Sequence, residues 1–465
     1  MTETIAICSA IVIDTYTGEK AVRDILIQGE RIKALGPVGS FDIPADAKKI
    51  DARGCYAIPG LWDAHIHVTK WPEVEDRLPT LLTAFGITSV RDMGAALDHI
   101  LEFRHRAMQA DAIAPRIWFA GPFINSSPAW GKNNPMSIEV DVEQEAIQLI
   151  DSLVRAGIHF VKTYEMLLPE VFEVIAKRAK QHGLRLAGHT PMRMTIPEIL
   201  DIVPDYDIQH QGGICSGMVY ECSCEADKLH TDRLDVLEQN HASAETGVAL
   251  MLSVEKALPV TLDDFDPEKR SALIELFVEK GAWQTPTLIQ TVSLEDLGFQ
   301  DSPERLKALE YLPKKFLDKR EKIRNKLKNR ASRYKWGPWY METVGLMYKA
   351  GVPLLAGTDC PPNAEKTPGL ALHFELEALV KAGVSTLAAL QSATLNPAKF
   401  FAIEDDLGSL AVGRFADLLL LEKDPLEDIT NTRSIVSVLS RGHYLDRQAL
   451  DDLFESMIDK PHSDT

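Results

Sequence analysis

The hydrophobic pattern changes character twice along the chain. An apolar run over 5–13 ends near a Thr17-Gly18 turn, and Asp24-Ile25-Leu26-Ile27-Gln28 comes next, before a second turn at Gly29-Glu30. Apolar runs of this length, bounded by glycine and charged residues, read as short strands. Pro59-Gly60 closes this section. From there to about residue 400, short apolar runs alternate with longer stretches whose apolar residues fall three and four apart, as over 171–181 and 372–382. Strands are predicted at 87–90, 116–120, 159–162, 184–187, 206–209 and 352–356, with a less marked one at 282–285 after a long insertion. Regular alternation of strand and helix predicts a parallel sheet, and eight such units predict a closed (β/α)8 barrel of TIM type. Strand character returns at 416–421 and 434–439, where the segments are expected to pair with the N-terminal strands. The expected organisation is a composite β-sandwich domain from 1–58 and 402–446, a barrel domain over 59–401, and a C-terminal tail over 447–465 whose last fifteen or so residues are polar and expected to fray.

Composition narrows the class. A chain of 465 residues is too long for one ordinary core and suits a barrel with a smaller partner domain. The net charge of −18 argues against nucleic acid or an anionic membrane as the main partner. No run approaches the roughly 20 apolar residues of a membrane-spanning helix. The N-terminus lacks the basic start and apolar stretch of a secretory signal, so a cytoplasmic protein is expected. Six cysteines in such a chain read as reduced thiols. Cys215, Cys222 and Cys224, with His230 nearby, could hold a structural zinc, but the second downstream pair such sites use is missing. A basic run over 314–335 has Leu312, Phe316, Ile323 and Leu327 at helical spacing. In so acidic a chain it reads as an amphipathic helix that lids the barrel or touches a neighbouring subunit, rather than a nucleic-acid helix. A homo-oligomer is expected.

The chemistry starts at Pro59-Gly60-Leu61-Trp62-Asp63-Ala64-His65-Ile66-His67. Residues two apart on a strand share a face, so His65 and His67 both aim inward and open a transition-metal site. Such a triplet is weak evidence alone. Lys162, His189, His210 and Asp359 each stand where a predicted strand runs out, the end at which such barrels keep their catalytic groups. Four histidines, a lysine and an aspartate at the ends of different strands are hard to explain as packing.

The chain resembles the amidohydrolase superfamily. The resemblance rests on the 59–67 motif, Gly188-His189-Thr190, Gly357-Thr358-Asp359, Ser392-Ala393-Thr394-Leu395-Asn396-Pro397-Ala398, Leu407-Gly408-Ser409-Leu410 and Gly413-Arg414-Phe415-Ala416-Asp417-Leu418. With its strand-end lysine it is similar to the imidazolonepropionase-like and prolidase-like branch, and more loosely to bacterial phenylurea and thiocarbamate (molinate) hydrolases. The resemblance implies two divalent metal ions, zinc by default, with cobalt, manganese or nickel suited to the same ligands. His65, His67 and Asp359 would hold one ion and His189 and His210 the other, bridged by a carbon dioxide adduct of Lys162. It further implies that a metal-bridging hydroxide attacks an amide, carbamate, thiocarbamate or urea carbon. Asp359 then shuttles the proton to the leaving nitrogen. The activity so implied is hydrolysis of carbon–nitrogen bonds other than peptide bonds in a small molecule.

Three rival readings stand beside it: an Xaa-Pro dipeptidase-like peptidase, a mononuclear deaminase on the same barrel, which needs no strand-end lysine, and a structural protein on a decayed scaffold, which should have lost ligands. Specificity belongs to the loops. Phe123, Trp130, Tyr164, Met192, Arg193 and Trp283 are the candidate substrate contacts, with Met166, Trp336 and Trp339 also near the predicted mouth. This inventory leans towards an uncharged substrate, although Arg193 or Lys132 could bind a carboxylate.

Overall fold

The computed structural model describes residues 3–128, 130–131, 134–212, 217–327, 336–361 and 366–459. Lys132, Cys215, the end of the basic run at 328–335 and the last tail residues lie outside them, as do the side chains of Ile323 and Leu327.

N- and C-terminal segments share one eight-stranded sheet. Its order is His443–Leu445, Ile435–Ser440, Leu418–Leu421, Tyr56–Pro59, Thr4–Ile13, Lys20–Gln28 and Arg31–Pro37, with Lys48–Asp51 also paired to Thr4–Ile13. The uniformly apolar Leu418–Leu421 is explained by strand alternation. Leu418 and Leu420 join Ile5, Ile7, Ile25 and Ile27 in a small core, while Leu419 and Leu421 point the other way into the main core. A strand buried on both faces has no use for polar residues.

The remaining strands are parallel. Leu61–Ile66, Ile87–Asp92 and Arg116–Phe119 form one sheet, and a second runs Ser137–Glu139, Phe123–Asn125, Val161–Thr163, Leu186–Gly188, Asp207–Gln209 and Trp283–Thr285. Hydrogen bonds link them at both ends. His159 N–H donates to Phe119 O (2.9 Å), Leu355 N–H to Gln284 O (2.9 Å) and Ala64 N–H to Ala356 O (2.9 Å). Gln284 bridges Leu354, and Ile66 bridges Cys360, both in parallel sense. The strand expected at 352–356 is reduced to this bridging, because Pro353 brings no N–H to a ladder.

Helices pack outside the strands by their apolar stripes. Glu143–Arg155 buries Ala146, Ile150 and Leu153 and packs against Pro169–Gln181, which buries Val171, Phe172, Ile175 and Ala179. The helix Leu370–Lys381 is buried nearly all round and holds His373, whose Nε2–H donates to Phe85 O (2.9 Å). Burial, together with nearby Arg433, drives this imidazole down to about 4. An unfolded chain takes up the proton near its ordinary value of 6.5, so acid favours unfolding between the two. Stability is expected to fall as pH drops from about 6.5 to about 4. Chemical denaturation across that range should show His373→Gln flattening the decline; an unchanged slope would assign it elsewhere.

The tail differs from expectation. Residues Arg447–Ser456 form a helix capped by Asp446, which accepts from Ala449 N–H, and the helix packs on Leu78–Ala84. Leu450, Phe454 and Met457 form its inward stripe, and Phe454 stacks on Tyr311 (4.6 Å). Arg77 fastens the end by donating to Met457 O (2.6 Å) and pairing with Asp459. The basic segment is helical over Lys314–Leu327; Phe316 meets Trp71 edge-on, and Lys319 lies over Trp71 (4.4 Å) and pairs with Glu73 (2.9 Å). It covers the segment just after His67. Cys222 and Cys224 are free cysteines, and His230 sits against Arg233. Among the described residues no helix is long and apolar enough to cross a membrane.

Candidate metal and active site

Parallel strands finish on the same side, so the residues at their C-terminal ends converge there. His65 lies in Leu61–Ile66 with His67 just beyond, and Lys162 lies in Val161–Thr163. His189 comes directly after Leu186–Gly188, His210 after Asp207–Gln209, and Asp359 after the 354–356 bridge. Ring centroids are 5.5 Å apart for His65–His67, 4.5 Å for His65–His210 and 5.1 Å for His189–His210. The six side chains share the floor of one cavity.

The histidine tautomers are set by their outer partners. His67 Nδ1 lies 2.9 Å from Gly94 O, which can only accept. His65 Nδ1 lies 2.6 Å from Gln209 Oε1, whose own amide donates to Asp207 (2.7 Å) and so turns its oxygen to the ring. His189 Nδ1 meets Glu165 Oε1 at 2.6 Å, and His210 Nδ1 meets Thr287 Oγ1, a hydroxyl that already donates to Pro286 O. Each ring therefore carries its proton on Nδ1 and leaves Nε2 with a lone pair, the arrangement outer partners impose on metal-ligating histidines. Burial pushes His65, His189 and His210 well below the ordinary imidazole value. They are neutral.

Asp359 Oδ1 lies 3.5 Å from His65 Nε2 and 3.3 Å from His67 Nε2. Burial alone would raise this carboxyl, but the nearby Lys366 ammonium holds it well below the ordinary range. Donor atoms of His65, His210 and Asp359 all fall within 4.8 Å of one another. Lone pairs and a carboxylate converging with no proton between them need a cation, and nitrogen with oxygen donors suits a divalent transition metal. Lys162 Nζ, fully enclosed, makes no hydrogen bond among the described residues. Burial and nearby Arg91 push its amine down to about 7. The donor set fits a metal centre, and the orphaned amine fits a lysine that is modified when the site is complete.

Several supporting residues escaped the sequence reading. Asp63 accepts from Thr358 Oγ1 (2.6 Å), Thr358 N–H (3.0 Å) and His65 N–H (3.2 Å), tying the His65 strand to the turn that carries Asp359. Arg91 pairs with Asp207 (2.7 Å) in the interior and donates to Ala64 O (2.5 Å), so an Arg91–Asp207–Gln209 chain ends on His65. Glu375 accepts from Leu288 and Ile289 N–H and holds the turn of Thr287. His210, Gln211, Thr287 and Asp359 all have left-handed φ, between 46° and 58°. Such conformations cost free energy and gather at functional sites. The only sequence signal was a polar residue inside an apolar strand, as at Asp63, Asp207 and Gln209.

The cavity above the floor has a volume of about 330 Å³. Of the candidate contacts, Phe123, Trp130, Tyr164 and Trp336 line it. Tyr164 stacks on His189 (4.2 Å) and on Phe123 (4.4 Å), and Trp130 meets Tyr164 edge-on (4.7 Å). Five others do not line it. Met192 and Met166 are core residues, Arg193 turns to Met166 O (3.3 Å), and Trp339 stacks on Phe265 (4.5 Å). Trp283 begins its strand, at the end away from the histidines, and packs on Phe400. The insertion between Asp207–Gln209 and Trp283–Thr285 supplies Val219, Tyr220, Met251 and Leu258 instead.

An α/β protein of parallel strands whose ends gather a histidine and aspartate group able to hold metal is the class that fold and site define. Residues 341–445 match the model of the amidohydrolase family. It is 45% identical over 74 residues to an adenine deaminase of Rubrobacter xylanophilus, a match spanning 16% of this chain and 12% of that protein. The chain thus aligns with about an eighth of that curated relative's length. In fold it is similar to an Xaa-Pro dipeptidase solved with bound methionine (TM-score 0.66, 19% identity, 96% of this chain and 100% of that one). It is also similar to molinate hydrolase (TM-score 0.67, 20% identity, 100% of this chain and 99% of that one).

Proposed function

We propose that this protein is a binuclear metal-dependent amidohydrolase that cleaves an amide-type carbon–nitrogen bond of a small molecule. The observation that carries the reading is the set of four histidines, each with Nδ1 engaged by an outer partner and Nε2 left free, around Lys162 and Asp359. The hydrogen bonds through His159, Leu355 and Ala64 support a closed (β/α)8 barrel, with the composite sheet as a second domain from 1–58 and 402–446. His65, His67 and Asp359 would hold one divalent ion and His189 and His210 the other, with zinc the default. When bound, such ions make water more acidic and polarise a carbonyl.

Lys162 is the residue placed to join the two halves. Its neutral amine adds to carbon dioxide, forming an N–C bond as one C–O π bond opens and releasing one proton, so that a neutral amine becomes a carbamate anion. A buried amine at about 7 is unprotonated in about half of the molecules at neutral pH, far more than an ordinary lysine. Asp359 stays ionised and takes the proton of the attacking water, then hands it to the leaving nitrogen. The apolar wall of Phe123, Trp130, Tyr164, Met251 and Trp336 buries the substrate's body and excludes bulk water.

A deaminase reading draws on the similarity to adenine deaminase, but Lys162 has no part in a one-metal site of that kind. A panel of N-acyl amides, carbamates, ureas, Xaa-Pro dipeptides and aminopurines, assayed with zinc-loaded protein, separates the two. Turnover is expected for an amide, carbamate or urea. Ammonia release from the aminopurines, with no other substrate cleaved, would replace the hydrolase reading by the deaminase.

A further inference from the structure

Above the floor residues, two described side chains lining the cavity carry formal charge, Lys70 and Glu255. Lys70 stands three residues beyond His67. Protein surrounds it, which lowers its amine from the ordinary lysine value, yet its surface is accessible because it projects into the cavity. No ion pair or side-chain hydrogen bond joins it to any described residue. Asp359 is the carboxylate whose field reaches it, and that group is already engaged by His65, His67 and Lys366. An ammonium that projects into the cavity with no protein counter-ion is free to pair with an anionic ligand group through charge-assisted hydrogen bonds. Glu255, on the wall helix Gly247–Ala257, likewise makes no ion pair or side-chain hydrogen bond among the described residues, and its charge disfavours a second anion there.

We infer that Lys70 anchors a carboxylate of the substrate close to the scissile bond. The substrate class is then an amide with an apolar body and one nearby carboxylate, as in an N-acyl amino acid. Naming the bond rests on the hydrolase reading above; the anchor itself does not. Of the two cations considered for this role, Arg193 faces Met166 O and does not line the cavity, and Lys132 lies outside the described residues. The expectation of an uncharged substrate came from the aromatic wall alone. That wall accounts for the body of the ligand and leaves Lys70 unexplained.

Calorimetric titration of the zinc-loaded full chain with N-acetyl-L-phenylalanine and with N-(2-phenylethyl)acetamide, which lacks only the carboxylate, tests the anchor. Wild-type protein is expected to bind the acid at least about tenfold more tightly than the neutral amide. Lys70→Met should erase that gap, and Lys70→Arg should keep most of it. Equal affinity for the two ligands, no binding of the acid, or a gap that survives in Lys70→Met would overturn the inference. Cleavage of both compounds is followed separately. A Lys70-dependent gap without cleavage of any amide would count against the hydrolase reading and leave the anchor standing.

Discussion

Asp359→Asn is expected to lower turnover by about 10² to 10⁴ while the protein folds and keeps much of its metal. Asparagine preserves the shape and one ligand oxygen but cannot accept a proton. The native carboxylate is ionised through neutral pH, because the Lys366 ammonium outweighs its burial. It is also fixed in place. Lys366 Nζ donates to Asp359 O (2.9 Å), and Thr358, one residue before it, is bound through both its N–H and hydroxyl to Asp63. A carboxylate held in a left-handed turn, with its oxygen 3.3 Å and 3.5 Å from two free Nε2 atoms, is positioned at a cost that packing alone does not explain. Steady-state kinetics alongside metal analysis decide the matter. A variant with intact metal and more than about a tenth of wild-type turnover would rule out the proton shuttle.

How far the site was legible depends on the range of the interaction involved. His65 and His67 declare themselves within one strand, through alternation, and Lys162, His189, His210 and Asp359 through their place at strand ends. Their partners do not. Gln209 reaches His65 across 144 residues and Thr287 reaches His210 across 77, so local periodicity holds no trace of either contact. Trp283 was misplaced because aromatic content was read without strand direction; Thr285 and Thr287, further along the chain, stand at the site end. Met192 shows the same limit. It lies three residues after His189, but its N–H donates to Glu165 O (2.8 Å) and its side chain turns into the core. The cavity wall from 218–260 was invisible for a different reason: an insertion breaks the strand-and-helix alternation that the sequence offers to read. The tail carried its own signals, Asp446 as a cap and Leu450, Phe454 and Met457 at helical spacing, and its polar composition masked them.

In the proposed reading, Lys162 is the residue on which two metals rather than one depend. It shares the cavity floor with the His65–His67 and His189–His210 pairs, its amine is enclosed and makes no hydrogen bond among the described residues, and burial with Arg91 nearby disfavours the ammonium. An anion at that position would turn two separate histidine pairs into one centre able to hold adjacent dications against their mutual repulsion. Lys162→Ala removes the anion and leaves every other ligand and its outer partner in place. Loss of at least one ion and of nearly all turnover is therefore expected, with the fold retained. Elemental analysis of wild-type and Lys162→Ala protein, each loaded with zinc in bicarbonate buffer and freed of excess metal, is the direct test. Two zinc ions per wild-type chain and one or none in Lys162→Ala is the predicted result. A single ion per chain, at the same occupancy in both proteins, would contradict the binuclear centre.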